Sequence, residues 1–419
     1  MISCPLCGDI KDKISLYDID NVFVSNTLFG DESYDDLSKM KEMQNSYARG
    51  DCSISLQQCV NCGFIFNHKF NLEKMIAAYS SDDYCQQTNF TKQLNKHIID
   101  TAENILSYIE YDKNTCIAEI ASGQGDLTRA LSQYVGHIYS IDPSPISNCI
   151  KDIKNVEYVQ TFFNYDLMAS KINKPIKLIV CRHVIEHIDK PREVLRDIVR
   201  LLEEDGILYI EVPDMQEIIE HIRFCDIYHD HCGYYQKNTL INIMQELGCE
   251  FLNRTTYFNG QHQGFFFKKR SNCKFDSLDF QLYYTHGGGG GGNSVANLFY
   301  QAIASINNIM KNYKNIGIYG AGGNSNTFLN SVDDCNLMKI VKAFDKNEKK
   351  WGKFLQNTNI KIVEPSENSL KNLDCIIMVM PICEDIVFER EIVPFIQNGF
   401  FKGDVYKTAN CSYLTCIEN

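Results

Sequence analysis

The chain has 419 residues, 44% of them hydrophobic and 22% charged, enough to bury the cores of two to four domains. Its formal charge of −12 argues against a nucleic-acid binder, whose affinity rests on phosphate neutralisation by Lys and Arg. No apolar run approaches the roughly 18 residues of a membrane span and no basic-then-apolar leader opens the chain, so a cytoplasmic protein without membrane contact is expected, its eighteen cysteines mostly reduced.

Two matching knuckles come first, Cys4-Pro-Leu-Cys7-Gly8 and Cys59-Val-Asn-Cys62-Gly63. Each pair can present two thiolates to one ion, and the following glycine permits the tight turn that brings backbone N–H groups toward sulfur. Together they predict a tetrahedral Cys4 zinc site, structural because four thiolates leave no open position. The 51 residues between the knuckles imply an insertion containing Asp31–Lys41 before the second one returns. Iron on the same ligands, a redox dithiol pair and unliganded thiols compete with zinc. Cys52 lacks a partner at ligand spacing.

From Asn71 to Tyr111 the pattern is helical, with Ile98, Ala102, Ile105, Leu106 and Ile109 on one face. Tyr79 and Tyr84 belong to a polar region around Ser80–Thr88 that can fold over a pocket, although a loop tyrosine more often packs than reacts.

Four apolar runs follow, Cys116–Ile120, His137–Ile141, Lys177–Cys181 and Gly206–Val212, separated by helix-length segments. That alternation predicts a parallel, doubly wound sheet whose ligand sits beyond the carboxyl ends of the strands. The turn Ala121-Ser122-Gly123-Gln124-Gly125 fails the dinucleotide fingerprint, because Thr128 stands at the third glycine position. A buried Glu119 can instead hold an ammonium group, the small turn residues let the backbone close on a ligand, and Asp142 can accept both hydroxyls of a ribose. An ammonium, a ribose and a base on one molecule describe S-adenosylmethionine. Glu119 to about Arg270 resembles a class I S-adenosylmethionine-dependent methyltransferase, through Glu119–Gly125, Ser140–Pro143, Cys181–Ile188 and Leu201–Pro213. The resemblance implies a cofactor site lined by Glu119, Ala121, Ser122, Gly123, Gly125, Asp142, Pro143, Arg182 and His183, with Ala121 where many relatives carry glycine.

After the third run comes His187, present at this point in methyltransferases of differing chemistry. The stretch Cys225-Asp-Ile-Tyr228-His229-Asp230-His231-Cys232 follows the fourth run and precedes a helix at Asn238–Leu247, so it is expected above the carboxyl edge. Tyr228, Asp230 and His231 offer a phenol for an oxyanion, a carboxylate to orient an imidazole, and a base active near neutral pH. A metal site on His229 and His231, or a solvated polar loop, are the competing readings.

Glu250–Phe258 and Gly264–Lys269 read as an antiparallel pair, and Gly287–Gly292 as a flexible linker. Ser294–Lys311 is an amphipathic helix; Asn315–Asn330 then gives a strand, a glycine-rich turn and a helix start, with strands at Lys339–Phe344 and Asp374–Met380 forming a smaller Rossmann-like domain. The expected architecture is α/β throughout: an N-terminal Cys4 zinc module over residues 1–75, a class I methyltransferase sheet over 76–275, and a C-terminal Rossmann-like domain over 294–419.

Tyr-x-acid-His after the fourth run, the four-cysteine module and the C-terminal segment together resemble the nucleotide-sugar C-methyltransferases, which alkylate a carbon beside a ketone. That resemblance implies catalytic roles for Tyr228, Asp230, His231 and His187, with Tyr84 as a loop tyrosine. Tyr319–Ala321, Asn326–Thr327 and Asp345–Gly352 also match, whereas the family's turn lysine is Asn324 here and its His-Gly-Gly turn reads Asn259-Gly260-Gln261-His262-Gln263-Gly264. The implied partner is a nucleoside-diphosphate 4-keto-6-deoxy sugar, acted on by a monomer or weak homodimer. An O- or N-methyltransferase, a zinc-knuckle RNA methyltransferase, an oxidoreductase or a non-catalytic scaffold are the alternatives.

Overall fold

Strands β1 (Lys13–Val22), β2 (Cys52–Cys59) and β3 (Ile65–Asn67) form an antiparallel sheet around the two cysteine knuckles in the computed structural model. The structure describes residues 2–25, 49–79, 92–144, 149–271, 276–283, 294–380, 382, 384–411 and 416–417. Tyr84, the Asp31–Lys41 insertion and Gly287–Gly292 lie outside the described residues.

The four apolar runs become β4 (Cys116–Ile120), β5 (His137–Ile141), β7 (Ile176–Arg182) and β8 (Leu202–Pro213), with β6 (Val156–Val159) between the second and third. Next comes β9 (Gly233–Tyr234), which leaves the central unit to pair with β3 and complete the first sheet. β10 (Cys249–Tyr257) and β11 (His262–Lys269) close the central sheet in the order β10-β11-β8-β7-β4-β5-β6, parallel except for its last two antiparallel strands. β4 is flanked by β5 on one side and β7 on the other, so strand order reverses there and opens a crevice at the carboxyl ends. Both sheet faces are covered: along β11, Phe265 and Phe267 enter one core and Phe266 the other, which is why the sequence shows a continuous rather than alternating apolar run.

Helix Val295–Met310, its N-terminus capped by Ser294, leads into β12 (Ile316–Tyr319), β13 (Ile340–Phe344), β14 (Ile362–Val363), β15 (Cys375–Met378), β16 (Asp404–Lys407) and β17 (Cys416–Ile417). They are ordered β14-β13-β12-β15-β16-β17, with only β17 antiparallel. One hydrophobic core joins this unit to the first sheet: Leu16, Tyr17, Ile54 and Leu56 pack with Phe299 and Ile306, and the Tyr17 and Phe299 rings meet at 5.1 Å. Arg49 adds a polar tie, donating to the carbonyls of Leu329 (2.7 Å) and Val332 (2.6 Å) at the end of helix Gly323–Asn330. The helical pattern before β4 holds as Leu72–Tyr79 and Lys92–Leu106, the latter burying Ile98, Ala102, Ile105 and Leu106. Among the described residues no helix is long and apolar enough to cross a membrane.

Candidate active site

The turn after β4 is built for close approach. Ala121, Gly123 and Gly125 all take positive φ, at 54°, 53° and 72°, so the glycine many relatives carry at Ala121 answers a real backbone demand. Gly123 N–H and Ser144 N–H donate to separate oxygens of Asp142, each at 2.8 Å, tying the turns after β4 and β5 together. A carboxylate has about four acceptor sites, so each Asp142 oxygen keeps one for a ribose hydroxyl. Ser140 donates to Ser122 at 2.6 Å beneath this turn.

Glu119 is buried at the end of β4 and accepts a hydrogen bond from the hydroxyl of Thr128. Thr128 is the residue that breaks the dinucleotide fingerprint. Burial pushes the Glu119 carboxyl up to about 7, with the Thr128 hydrogen bond and the Arg182 charge opposing that shift. An arriving ammonium group would stabilise the ionised form. The donor set therefore fits S-adenosylmethionine.

Arg182 and His183, at the end of β7, converge on Glu211 of β8, a carboxylate that sequence reasoning missed. Arg182 makes a two-point ion pair with it, Nε to Oε2 at 2.8 Å and Nη2 to Oε1 at 3.1 Å, and also reaches His97 at 3.3 Å. His183 Nε2 lies 3.0 Å from Glu211 Oε1, and the Tyr209 hydroxyl donates to Oε2 at 2.8 Å. Burial acts to raise the Glu211 carboxyl, but Arg182 and the histidines overcome it and hold it well below its ordinary range. Burial likewise opposes charge on His183, yet Glu186 and Glu211 bring it to about 9. The guanidinium of Arg182 is thus occupied by the protein itself and acts toward Glu119 through its charge. The one available signal was a lone Glu within the apolar run Gly206–Val212.

The loop between β8 and β9 lies at the same carboxyl edge. Its core is His231, whose ring meets His187 at 4.7 Å, Tyr228 at 4.8 Å and Tyr234 at 5.8 Å, edge to face in each case. His187 Nδ1 is 2.9 Å from the Asp230 carbonyl, so it is the donor there. Burial lifts the Tyr228 phenol well above its ordinary pKa and, with the neighbouring His187, His183 and His262, depresses His231. Both stay neutral at pH 7. Two expectations need correction. Asp230 is not paired with the His231 ring: Oδ1 of the acid and Nδ1 of the imidazole are both buried without a partner, because adjacent side chains on this irregular loop point in different directions. His229 does not join His231 in a metal site, since its ring turns away to the Ser53 carbonyl (2.9 Å) and the Asn71 N–H (3.2 Å).

The four knuckle cysteines come together. Cys4 and Cys62 sulfurs are 3.7 Å apart, as are those of Cys7 and Cys59. A tetrahedral ion with bonds of about 2.3 Å needs sulfur separations of about 3.8 Å, so the cluster fits a metal. Gly8 and Gly63 take matching positive φ, 76° and 74°, and each donates its N–H to the first cysteine of its own knuckle. Hydrogen bonds led by Cys4 hold Cys7 and Cys59 low, Cys59 at about 6, while Cys4 and Cys62 are pushed up. Only a cation would let all four ionise. Cys52 is buried in the hydrophobic core instead.

In the C-terminal unit, Asn324 donates to Asp226 Oδ1 at 2.5 Å and to the Cys225 carbonyl at 3.3 Å, clasping the loop between β8 and β9 to the glycine turn. The Lys350 ammonium sits at that turn, 2.6 Å from the Ala321 carbonyl and 2.8 Å from Asp345.

Residues 90–253 match the model of a methyltransferase domain, and residues 292–399 that of a C-methyltransferase C-terminal domain. Among curated proteins the chain is similar to C-methyltransferase NovU of Streptomyces niveus, 21% identical over 166 residues, covering 36% of this chain and 40% of that relative. Among solved structures, the N-methyltransferase NodS of Bradyrhizobium japonicum with S-adenosyl-L-homocysteine covers 47% of this chain and 97% of its own, at 13% identity and TM-score 0.35. An O-methyltransferase family protein from Burkholderia thailandensis covers 43% of this chain and 57% of its own, at 10% identity and TM-score 0.35.

Proposed function

We propose that this chain, an S-adenosylmethionine-dependent methyltransferase, methylates carbon, and that its substrate is a nucleoside-diphosphate 4-keto-6-deoxy sugar. The observation that carries the reading is the trio of Tyr228, His187 and His231 at the carboxyl edge of the cofactor-binding sheet, its central His231 buried and its other two members half-buried. The C-methyltransferase C-terminal domain and the similarity to a C-methyltransferase support it.

Carbon beside a ketone carries no lone pair, so a proton must leave before a new bond can form. A neutral, desolvated His231 takes that proton, and the neutral phenol of Tyr228 donates a hydrogen bond to the enolate oxygen. His187, fixed by the Asp230 carbonyl, packs the base in place. Glu119 would hold the ammonium of the cofactor, Asp142 its ribose, and Ala121, Ser122, Gly123, Gly125 and Pro143 its flanks. S-adenosylmethionine supplies an electrophilic methyl group when bound. Lys350 and the Gly320–Gly323 turn would face the nucleotide diphosphate. Holding both reactants in one crevice provides most of the remaining rate advantage. Zinc fills the Cys4 cluster in a structural role.

Incubation with labelled S-adenosylmethionine and a panel of 4-keto nucleotide sugars, read by mass spectrometry, tests the proposal. NMR of the product must show a methyl group on carbon; a methyl on oxygen or nitrogen would replace the carbon reading with His231 as base toward a hydroxyl or amine.

A further inference from the structure

Which carboxylate serves His231 is decided by side-chain direction rather than by adjacency in sequence. Asp230 precedes the histidine, but His231 Nδ1 makes no hydrogen bond to it, and Asp230 Oδ1 is itself buried without a partner. Glu186 comes from a different element, the single helical turn Ile185–His187 after β7, and is 2% exposed. Its Oε1 reaches His183 Nδ1 only at 3.6 Å, and its Oε2 is buried without a partner. A carboxylate oxygen of Glu186 and a ring nitrogen each of His187 and His231 lie within 4.8 Å of one another. His187 Nδ1 is already committed to the Asp230 carbonyl, so it does not compete for the acid. Glu186 Oε2 and Asp230 Oδ1 are both buried acceptors without a partner, and His231 Nδ1 is a buried ring nitrogen without one; of the two acids it is Glu186 whose carboxylate clusters with a His231 ring nitrogen. Leaving such groups unpaired is costly, and a hydrogen bond between Glu186 and His231 would remove that cost.

We propose that Glu186, and not Asp230, accepts the Nδ1 proton of His231 and is the positioning residue for the base. With Nδ1 protonated and directed at the carboxylate, Nε2 carries the lone pair that removes the substrate proton. After transfer the ring is an imidazolium, and the fixed negative charge stabilises it. The groups around His231 are Glu186 and His187 from the turn, His183 from the end of β7, His262 from the β10–β11 hairpin, and Tyr228, Asp230 and Tyr234 from its own loop. Burial and three imidazoles, His187, His183 and His262, lower the affinity of His231 for a proton.

The kinetic part of this inference rests on the carbon-acid reading above, so the decisive experiment has an arm that does not. Nitrogen-15 NMR of the histidine rings in the full-length, metal-loaded protein should show His231 as the Nδ1–H tautomer. Glu186→Gln should abolish that state and move the His231 titration to lower pH, while Asp230→Asn should keep both. With a 4-keto nucleotide sugar, Glu186→Gln should slow deuterium exchange beside the ketone by about 10²–10⁴-fold and shift the ascending limb of its pH profile downward, with Glu186→Asp restoring part of the rate. Should Glu186→Gln fail to fold, Glu186→Asp is read by the same NMR shift. The assignment is overturned if His231 titrates identically in wild type and the Glu186 variant, or if Asp230→Asn produces the shift instead. It is also overturned if elemental analysis finds a second divalent cation that Glu186→Gln removes. If the wild type exchanges no 4-keto sugar, the carbon-acid reading fails, and the NMR arm still decides Glu186.

Discussion

His187 and His231 meet edge to face, ring centroids 4.7 Å apart and planes at 82°, although 43 residues separate them in the chain. His187 hangs from the end of β7 and His231 from the loop after β8, so this contact closes the catalytic loop onto the sheet edge. Because His187 also donates to the Asp230 carbonyl, His187→Ala should free the loop and leave that carbonyl unpaired. We expect methyl transfer to fall by about 10–100-fold, with the affinity for S-adenosylhomocysteine, held elsewhere, near wild type. Label transfer and calorimetry measure the two independently.

Cofactor affinity should depend on pH through Glu119. Its folded pKa of about 7 lies above the ordinary 4.5, so the free protein holds a proton there that an ammonium group must displace. Affinity for S-adenosylhomocysteine should therefore climb roughly tenfold per pH unit below about pH 7 and level off above it, until the ligand amine deprotonates near pH 8. Stability of the unliganded protein runs the other way. Between pH 4.5 and about 7 the folded state binds more protons at Glu119 than the unfolded one, so this contribution falls as pH rises. Calorimetric titration should show the ascending limb in wild type and its loss in Glu119→Gln.

Tyr228 is a half-buried phenol kept neutral by desolvation, a donor suited to a developing oxyanion. Removing the hydroxyl in Tyr228→Phe should lower the transfer rate by about 10²-fold, leaving substrate affinity and melting temperature nearly unchanged. Equal losses in affinity and rate would make the tyrosine a binding group.

The four-cysteine cluster is coupled to the site through packing. The second knuckle runs into Phe64, whose ring meets Tyr235 at 5.0 Å, and β3 pairs with β9 immediately after the catalytic loop. Cys59→Ser, or a strong chelator, should release about one zinc ion per chain and lower activity more than cofactor affinity. Metal analysis and calorimetry on the same sample check this.

Gly264 leaves room for the Tyr209 hydroxyl, on which a Cβ at this position would land. Gly264→Ala should displace Tyr209 from Glu211 and cost about 1–3 kcal/mol of stability, read by denaturant unfolding. The Arg182–Glu211 pair should loosen with it, and cofactor affinity should drop.

Local patterns were legible where one short stretch contains the whole physical requirement. Cys116–Ile120 and His137–Ile141 are strands with those same ends, because a parallel strand buried on both faces must be apolar throughout. The knuckles were legible too, each needing only two sulfurs and a glycine in the left-handed region. Around His231 the structure gathers His187 and Tyr228 but does not make the Asp230–His231 bond that adjacency suggested. Asp230 looked like the partner of His231 because it is adjacent, yet neighbouring side chains on an irregular loop need not point the same way. His229, two residues from His231, serves the N-terminal sheet instead.

The sequence alone determined the repeat of strand and helix, the cofactor turn and the paired thiols, since all of these follow from side-chain periodicity and spacing over a few residues. Tertiary structure alone decided that Gly233–Tyr234 completes a sheet begun near residue 13, that Glu211 gathers Arg182, His183 and His97, and that Glu186 faces His231. Each of those relationships joins groups brought together only when the strands take their order in the sheet, and no short-range pattern encodes that order.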